Sequence, residues 1–182
     1  MQIKELTNTD QILYKTFFTK GLQAHPDCFR ITPADEQQEP FPTKATSDSF
    51  TLGAFLATNE LVGIVSFERE GAKRQQLKHK GLLFRMYVAA ENGGKSIGKK
   101  LIEELLHRVK TQTDVEQVNL TVVSTNHSAK RLYQKFGFQS FSIEINALKT
   151  NGIYYDEETM VLFLKQPATL IERLRNKLKD YL

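Results

Sequence analysis

The chain has 182 residues, of which 40% are hydrophobic and 25% are charged, and its formal net charge is +4. This length and composition are typical of one globular domain with a substantial core, and they argue against disorder. The charge is too small and dispersed to indicate a nucleic-acid partner. No apolar stretch is long enough to span a bilayer, and the first residues lack the apolar core of a secretion signal. We therefore expect a cytoplasmic protein with no membrane partner.

Apolar periodicity and turn residues predict the secondary structure along the chain. The predicted elements, in order, are a strand at 1–6, a helix at 10–23, a proline-rich loop at 26–42, strands at 50–57, 61–70 and 82–88, a helix at 95–111, a strand at 118–124, a helix at 127–136, and strands at 138–147 and 154–164 with a turn at 149–152 between them. Together they predict a mixed sheet with helices on both faces.

The proline-rich loop holds four of the five prolines, which favours irregular or briefly helical structure. Long loops in compact domains are often functional. The single Cys28 lies in the same loop, where it is more typical of a small buried residue than of a nucleophile.

A glycine-rich turn follows the strand at 82–88 and opens the next helix, in the sequence ENGGKSIGKK at 91–100. Gly93, Gly94 and Gly98 let the backbone approach a ligand closely, and the free amides of the helix start favour negative charge. The turn therefore predicts a phosphate-binding loop, although a strand–turn–helix junction without a ligand has the same pattern.

The same turn also partly matches a nucleotide-triphosphate loop, through Gly94, Lys95 and Ser96. That pattern requires a glycine five positions earlier, where this chain has Ala89, and a later strand that ends in a magnesium-binding aspartate. The strand at 118–124 ends in Ser124 instead. A P-loop nucleotide hydrolase is therefore only a third alternative.

A second motif decides between these phosphate loops. The strand at 118–124 is followed by Asn126 and by the sequence HSAKRLYQKFGF at 127–138. This segment resembles the second signature of the GCN5-related N-acetyltransferase (GNAT) superfamily, a strand, an asparagine and a short helix with Leu-Tyr and a closing Gly-Phe. The first family signature is Arg or Gln, two residues, Gly, one residue, then Gly or Ala. Here Gly93, Ser96 and Gly98 occupy those three positions, and the first two depart from the pattern.

The resemblance implies an α/β (α+β) fold, with a mostly antiparallel central sheet of about seven strands. A splayed pair of strands in that sheet would hold acetyl-CoA. The N-acetyltransferase domain would occupy residues 1–164. Its activity would be acetyl transfer from acetyl-CoA to a primary amine, without a metal. The departures from the first signature leave a coenzyme A-binding protein without catalysis as an alternative.

The family resemblance also implies which residues bind the acetyl-CoA cofactor. Backbone amides of Met86, Tyr87 and Val88 would bind the pantetheine arm and the acetyl carbonyl. The remaining predicted contacts are Gly93, Gly94, Lys95, Ser96, Ile97, Gly98 and Lys99 for the pyrophosphate, with Asn126 and Tyr133 further along the chain. Asn126 either bonds the backbone or cofactor or caps the following helix.

Two residues are predicted to act in catalysis. Tyr133 matches the family tyrosine that lies near the sulfur and protonates the leaving thiolate, although it could simply pack on Phe136. Glu68 is the predicted base, because family members often place a carboxylate on this strand or the adjacent one. His79 and Glu91 are weaker candidates for that base. Alternatively, Glu68 is a solvent-facing residue or a partner of Arg69.

The acceptor amine is less constrained, and either a small molecule or a protein amine fits the resemblance. In the resembling family the proline-rich loop forms one wall of the acceptor site, which implies that Phe29, Arg30 and Phe41 contact the substrate. As an alternative, these residues anchor a surface loop. Asp156, Glu157 and Glu158 form an acidic run that would attract a cationic acceptor such as a polyamine or a protein amino terminus. A solvated strand entry has the same composition.

Residues 165–182 form a separate predicted unit, an amphipathic helix that begins near Pro167. Leu170, Leu174, Leu178 and Tyr181 share one face of that helix. We expect this helix to pack on the domain or on a second subunit, and the resemblance makes a homodimer an expectation.

Overall fold

The computed structural model describes residues 1–71 and 74–165. The carboxy-terminal helix predicted at 165–182 thus lies outside the described residues, except for Lys165. Within the described ranges, every helix is too short or too polar to cross a bilayer.

A seven-stranded sheet runs through the molecule in the order β1-β2-β3-β4-β5-β7-β6. Its strands are β1 (Gln2–Leu6), β2 (Ser49–Phe55), β3 (Leu61–Arg69), β4 (Lys80–Val88), β5 (Gln117–Val123), β6 (Gln139–Thr150) and β7 (Ile153–Phe163). Neighbouring strands are antiparallel except for β4 and β5, which are parallel. The predicted mixed, mostly antiparallel sheet is therefore confirmed.

Helices cover both faces of this sheet, as predicted. They are α1 (Gln11–Ala24), α2 (Pro33–Gln38), α3 (Ile97–Lys110) and α4 (His127–Lys135). One apolar cluster joins the sheet to α3 and α4, and a second joins it to α1. In α3 the side chains of Ile97, Leu101 and Leu105 recur every four residues and are at most 2% exposed. Burial of each contributes about 1.5–3 kcal/mol, so this stripe fixes the start of α3 against the sheet.

The only parallel pair of described strands separates after a short contact. Lys80, Gly81 and Leu82 of β4 pair with residues 117–119 of β5, and the later residues of β4 have no partner on β5. β5 nevertheless stays paired with β7 as far as Val123. A wedge therefore opens between β4 and β5, as the family resemblance implied.

Two of the differences from the predicted boundaries have local backbone reasons. The helix α3 begins at Ile97 rather than at 95, because Ser96 has a left-handed backbone with φ +58°. β6 continues to Thr150, and its turn to β7 is only Asn151-Gly152, both with positive φ. Asn-Gly is the preferred sequence for such a two-residue hairpin turn, so this turn was visible in the sequence.

Candidate functional site

A cavity of about 760 Å³ occupies the wedge between β4 and β5. It is closed by the glycine-rich turn, by α4 and by the loop that follows α1. Most of the residues predicted to bind a cofactor line this cavity, namely Met86, Tyr87, Val88, Gly93, Gly94, Ser96, Ile97, Gly98, Lys99, Asn126 and Tyr133. Lys95 is the exception, because its ammonium donates a hydrogen bond to Asn92 Oδ1 (2.8 Å) and its side chain does not line the cavity.

The start of α3 presents free backbone amides to this cavity. Ser96 is the residue before the helix, and its side chain makes no capping hydrogen bond. The first amides of the 14-residue helix therefore lack a side-chain partner, and together with the helix dipole they favour an anion. Ser96 takes the conformation that glycine adopts most easily, at the position where the family signature has glycine.

Gly98 allows α3, α4 and β4 to approach each other behind the cavity. A Cβ at this position would lie 3.1 Å from both Leu132 Cδ2 and Met86 Cε. That separation is tighter than most carbon contacts, so a side chain at this position would require the ends of Leu132 and Met86 to shift.

Positive side chains surround the same cavity. Lys99 of α3 and Arg131 and Lys135 of α4 line it, and Asp27 is the lining residue with a negative charge. The arrangement suits a ligand with several phosphates. Sequence reasoning missed the α4 cations, although Ser128, Arg131, Leu132 and Lys135 have the i, i+3, i+4, i+7 spacing of one helix face.

Asn126 and Tyr133 hold α4 in position. Asn126 Oδ1 accepts a hydrogen bond from the backbone amide of Ala129 (3.1 Å), which caps the helix. Tyr133 is 6% exposed, and its ring packs edge-on against Phe138 at 5.9 Å. Burial raises the pKa of Tyr133, so its hydroxyl keeps its proton at neutral pH and can act as a donor.

A second cavity, of about 460 Å³, adjoins the first. The two share the lining residues Cys28, Phe29, Met86, Asn126, Ala129 and Tyr133. The predicted loop residues Phe29 and Arg30 line this second cavity. Phe41 does not, because it is buried against Tyr14 with ring centroids 5.2 Å apart, and it anchors the loop instead.

Cys28 stands where the two cavities meet, and sequence reasoning did not assign it to a site. Its Sγ lies 3.7 Å from Asn126 Nδ2. Burial and the neighbouring Asp27 carboxylate raise the pKa of the Cys28 thiol, so the thiol is protonated at neutral pH. Periodicity offers no signal for this residue, because its position depends on how the loop folds back over the sheet.

Both arginines of the second cavity are held by carboxylates. Arg30 Nε donates to Glu157 (2.6 Å), and Arg30 Nη2 donates to Glu144 (3.2 Å). Arg85 contacts Glu39 and lies with Nη1 3.0 Å from Glu36. The Glu36 contact has ion-pair distance without hydrogen-bond geometry, since neither Glu36 oxygen has a hydrogen bond among the described residues. Burial of Glu36 raises the pKa of its carboxyl.

The predicted acidic run divides between opposite faces of β7. Glu157 lines the second cavity and binds Arg30, whereas Glu158 contacts Lys130 and accepts from Ser140 Oγ at 2.9 Å on the α4 face. Asp156 accepts a hydrogen bond from the backbone of Asn146 (2.8 Å). Only one of the three carboxylates therefore belongs to a cavity.

The predicted base, Glu68, is exposed on β3 and lines neither cavity. His79 and Glu91 also lie outside both linings. Glu70, just after β3, does line the second cavity, where it accepts a hydrogen bond from Asn119 Nδ2 (3.3 Å). Among residues 1–71 and 74–165, no group of His, Cys, Asp or Glu is arranged to hold a metal ion.

Comparison with known proteins accounts for this arrangement of sheet, wedge and glycine-rich turn. A solved acetyltransferase of the GNAT family from Streptococcus pneumoniae is 21% identical, with 90% of this chain and 99% of that chain covered and a TM-score of 0.77. A GCN5-related N-acetyltransferase from Kribbella flavida is 20% identical, with coverage of 90% and 97% and a TM-score of 0.76. The protein yncA from Salmonella typhimurium, solved with its cofactor acetyl-CoA, is 16% identical, with coverage of 93% and 96% and a TM-score of 0.74.

A search of curated proteins finds no match. The family model for the acetyltransferase (GNAT) family matches residues 13–138, which include both the glycine-rich turn and α4. That match removes the P-loop hydrolase alternative, and the largely antiparallel sheet agrees with it. The chain belongs to the acetyltransferase (GNAT) family.

Proposed function

We propose that the protein transfers the acetyl group of acetyl-CoA to a primary amine. The observation that carries this proposal is the meeting of two cavities at Tyr133 and Met86, one with free amides and cations and the other with carboxylates. The first cavity fits an elongated donor with phosphates at one end. The second gives an amine a separate route to the same point.

The proposed donor site uses the cofactor residues predicted above. The backbone of Met86, Tyr87 and Val88 would bind the pantetheine arm along the open edge of β4, where β5 leaves that edge unpaired. The phosphates would lie at the amides of the glycine-rich turn, with Lys99, Arg131 and Lys135 nearby. Ser96 departs from the family glycine, yet its left-handed backbone, with φ +58°, is one that glycine adopts easily, which supports donor binding despite the changed residue.

The proposed reaction is direct. The amine nitrogen attacks the thioester carbonyl carbon, the new N–C bond forms, and the C–S bond breaks as the thiolate leaves. Tyr133 would donate its proton to that sulfur and afterwards regain one from water. A backbone amide of β4 would stabilise the oxyanion, since a fixed donor there needs no reorganisation.

The attacking amine must lose a proton, because a free alkylammonium has a pKa of about 10.4. The base predicted from the sequence, Glu68, stays a prediction, and its exposed carboxylate would act only through water. Glu157 competes with it, because Glu157 lines the second cavity. Comparing the pH dependence of kcat/KM for Glu68→Gln and Glu157→Gln distinguishes them, since loss of the base removes the acidic limb of the profile.

The first experiment measures thermal stability with acetyl-CoA and, separately, with Mg·ATP. A ligand at 100 times its dissociation constant adds about 2.7 kcal/mol of stability, which raises the Tm by about 5–10 °C for a domain of this size. We expect acetyl-CoA alone to stabilise the protein. Release of free coenzyme A thiol with a panel of amines then separates the transferase from a coenzyme A-binding protein, which would be stabilised without turnover.

Three expectations from the sequence remain predictions beside this function. They are the cytoplasmic location, the extent of the catalytic domain over residues 1–164, and the packing of the helix at 165–182 on the domain or on a second subunit in a homodimer.

A further inference from the structure

The second cavity has a carboxylate near each of its ends. Glu157 pairs in the sheet with Val123 of β5, close to the end that is shared with the first cavity. Glu70 accepts a hydrogen bond from Asn119, which lies four positions earlier on the same strand. Because a strand rises about 3.3 Å per residue, the two carboxylates stand at levels about 13 Å apart along the sheet.

The charges of the two ends differ. At the shared end, Glu157 is neutralised by Arg30, which also binds Glu144. The other lining arginine, Arg85, is engaged by Glu36 and Glu39.

At the far end, Glu70 has one hydrogen bond from a side chain of the described residues, and it comes from a neutral amide. Its negative charge is therefore not balanced by a described cation. Each arginine of the cavity is already engaged by carboxylates, so Glu70 is the described lining carboxylate left to attract a positively charged group.

The walls between these ends are largely apolar. Ile31, Leu82, Phe84 and Val122 line the cavity, with Thr121 as a polar residue among them. Methylene groups would bury well there, whereas the carboxylate of an amino-acid acceptor would meet the Glu70 carboxylate at the far end.

We infer that the acceptor is a linear polyamine. Its reacting amine enters the shared end near Tyr133, and a distal ammonium group pairs with Glu70. The nine bonds between the terminal nitrogens of spermidine or of 1,8-diaminooctane span about 11 Å when extended, since a peptide residue of three backbone bonds spans at most about 3.6 Å. A hydrogen bond from the distal ammonium to Glu70 spans a further ~2.8 Å. This inference rests on the proposed acetyl transfer, and it adds the class of acceptor to it.

A pair of acceptors that differ in one ammonium group tests the inference. 1,8-Diaminooctane and octylamine have the same chain, and each carries a primary amine that can react. We expect kcat/KM of the unmodified enzyme to be on the order of tenfold higher for the diamine, because a paired charge at the far end adds binding energy. Spermidine should behave like the long diamine, and 1,4-diaminobutane, which is too short to reach Glu70, should behave like octylamine.

The variant Glu70→Gln tests whether the preference for the diamine depends on the Glu70 carboxylate. It should lower the ratio of kcat/KM for 1,8-diaminooctane to kcat/KM for octylamine to near one. Glu60→Gln is the matched control, because Glu60 is exposed on the β2–β3 turn and lines neither cavity, so loss of its charge should leave the preference intact.

The outcomes separate the two proposals. Turnover of both amines at equal kcat/KM, or an equal loss for both in Glu70→Gln, overturns the polyamine inference and keeps the transferase. A higher kcat/KM for free amino acids than for any diamine would also overturn the polyamine inference and keep the transferase. No stabilisation by acetyl-CoA and no thiol release with any amine overturns the transferase, and with it the inference. The comparison of acceptors uses the unmodified enzyme, so it tests the inference even if a variant fails to fold.

Discussion

Asn126 Nδ2 lies 3.7 Å from Cys28 Sγ, so the first turn of α4 contacts the loop that follows α1 across the mouth of both cavities. The same asparagine caps α4 through Ala129. One side chain thus sets the position of the helix that carries Tyr133 and contacts the loop that carries Arg30. A change that displaces Asn126 should therefore affect the binding of both the acetyl donor and the amine acceptor.

Replacement of Asn126 separates these two contacts. Asn126→Ala should lower the free energy of unfolding by about 1 kcal/mol through loss of the cap, and it should also reduce kcat. Asn126→Asp keeps an oxygen that can accept from Ala129 and loses the amide facing Cys28, so its stability should stay near that of the unmodified protein. Denaturant unfolding and thiol-release rates measure both. Equal destabilisation by the two substitutions would show that the cap is not the main contribution.

Tyr133→Phe tests the proposed acid. A positioned general acid typically contributes 10²- to 10⁴-fold, so we expect kcat to fall by about 100-fold. The ring keeps its edge-on contact with Phe138, and the stabilisation by acetyl-CoA should therefore be unchanged. Full turnover in this variant would leave the tyrosine with a packing role only.

Ser96→Gly tests the strain in the glycine-rich turn. A left-handed backbone costs about 1–2 kcal/mol for a residue other than glycine, and glycine removes this strain. Glycine also makes the unfolded chain more flexible, which offsets about 0.5–1 kcal/mol of that gain in stability. The free energy of unfolding should rise by about 0.5 kcal/mol, visible as a Tm higher by about 1–2 °C. Ser96→Ala is the control, since it removes the hydroxyl and keeps the left-handed backbone. A gain with alanine as large as that with glycine would mean that strain is not the cause.

Glu158 gives a prediction about pH. Its contacts with Lys130 and Ser140 lower the pKa of its carboxyl below the ordinary value of about 4.3. A lowered carboxyl pKa stabilises the fold above that value, and the contribution is lost as the pH falls through the folded-state pKa.

Glu158→Gln should therefore destabilise the protein by about 1 kcal/mol or less at pH 7, and the difference should shrink in acid. Urea unfolding of both proteins from pH 7 down to pH 3 measures it. A difference that does not change with pH would assign the effect to packing instead.

Much of the fold was predictable because it depends on local pattern. The four-residue apolar repeat fixed α3, and alternation with short turns fixed most strands of the sheet. The glycine-rich turn and the segment around Tyr133 likewise predicted most of the first cavity, since both are continuous in sequence. Lys95 was misplaced because its side chain turns back to Asn92, which no spacing rule indicates.

The second cavity was less predictable because distant segments assemble it. Glu157 and Glu158 are adjacent in sequence, and only the register of β7 places one in the cavity and the other against α4. Glu68 and Glu70 likewise lie two positions apart, yet only Glu70 lines the cavity, because it follows the end of β3. The direction of a side chain at the end of a strand depends on the register of strand pairing, which cannot be read from a single sequence.

The open edge of β4 should make the proposed donor site tolerant of side-chain substitution. Beyond Leu82, β4 is paired along one edge only among the described strands, so an arm bound as proposed would substitute for a neighbouring strand. Recognition then depends on main-chain amides, which every residue except proline supplies. Relatives with only 16–21% identity keep the same architecture. Exchanging side chains along this edge should matter less than one proline, which deletes a donor from it.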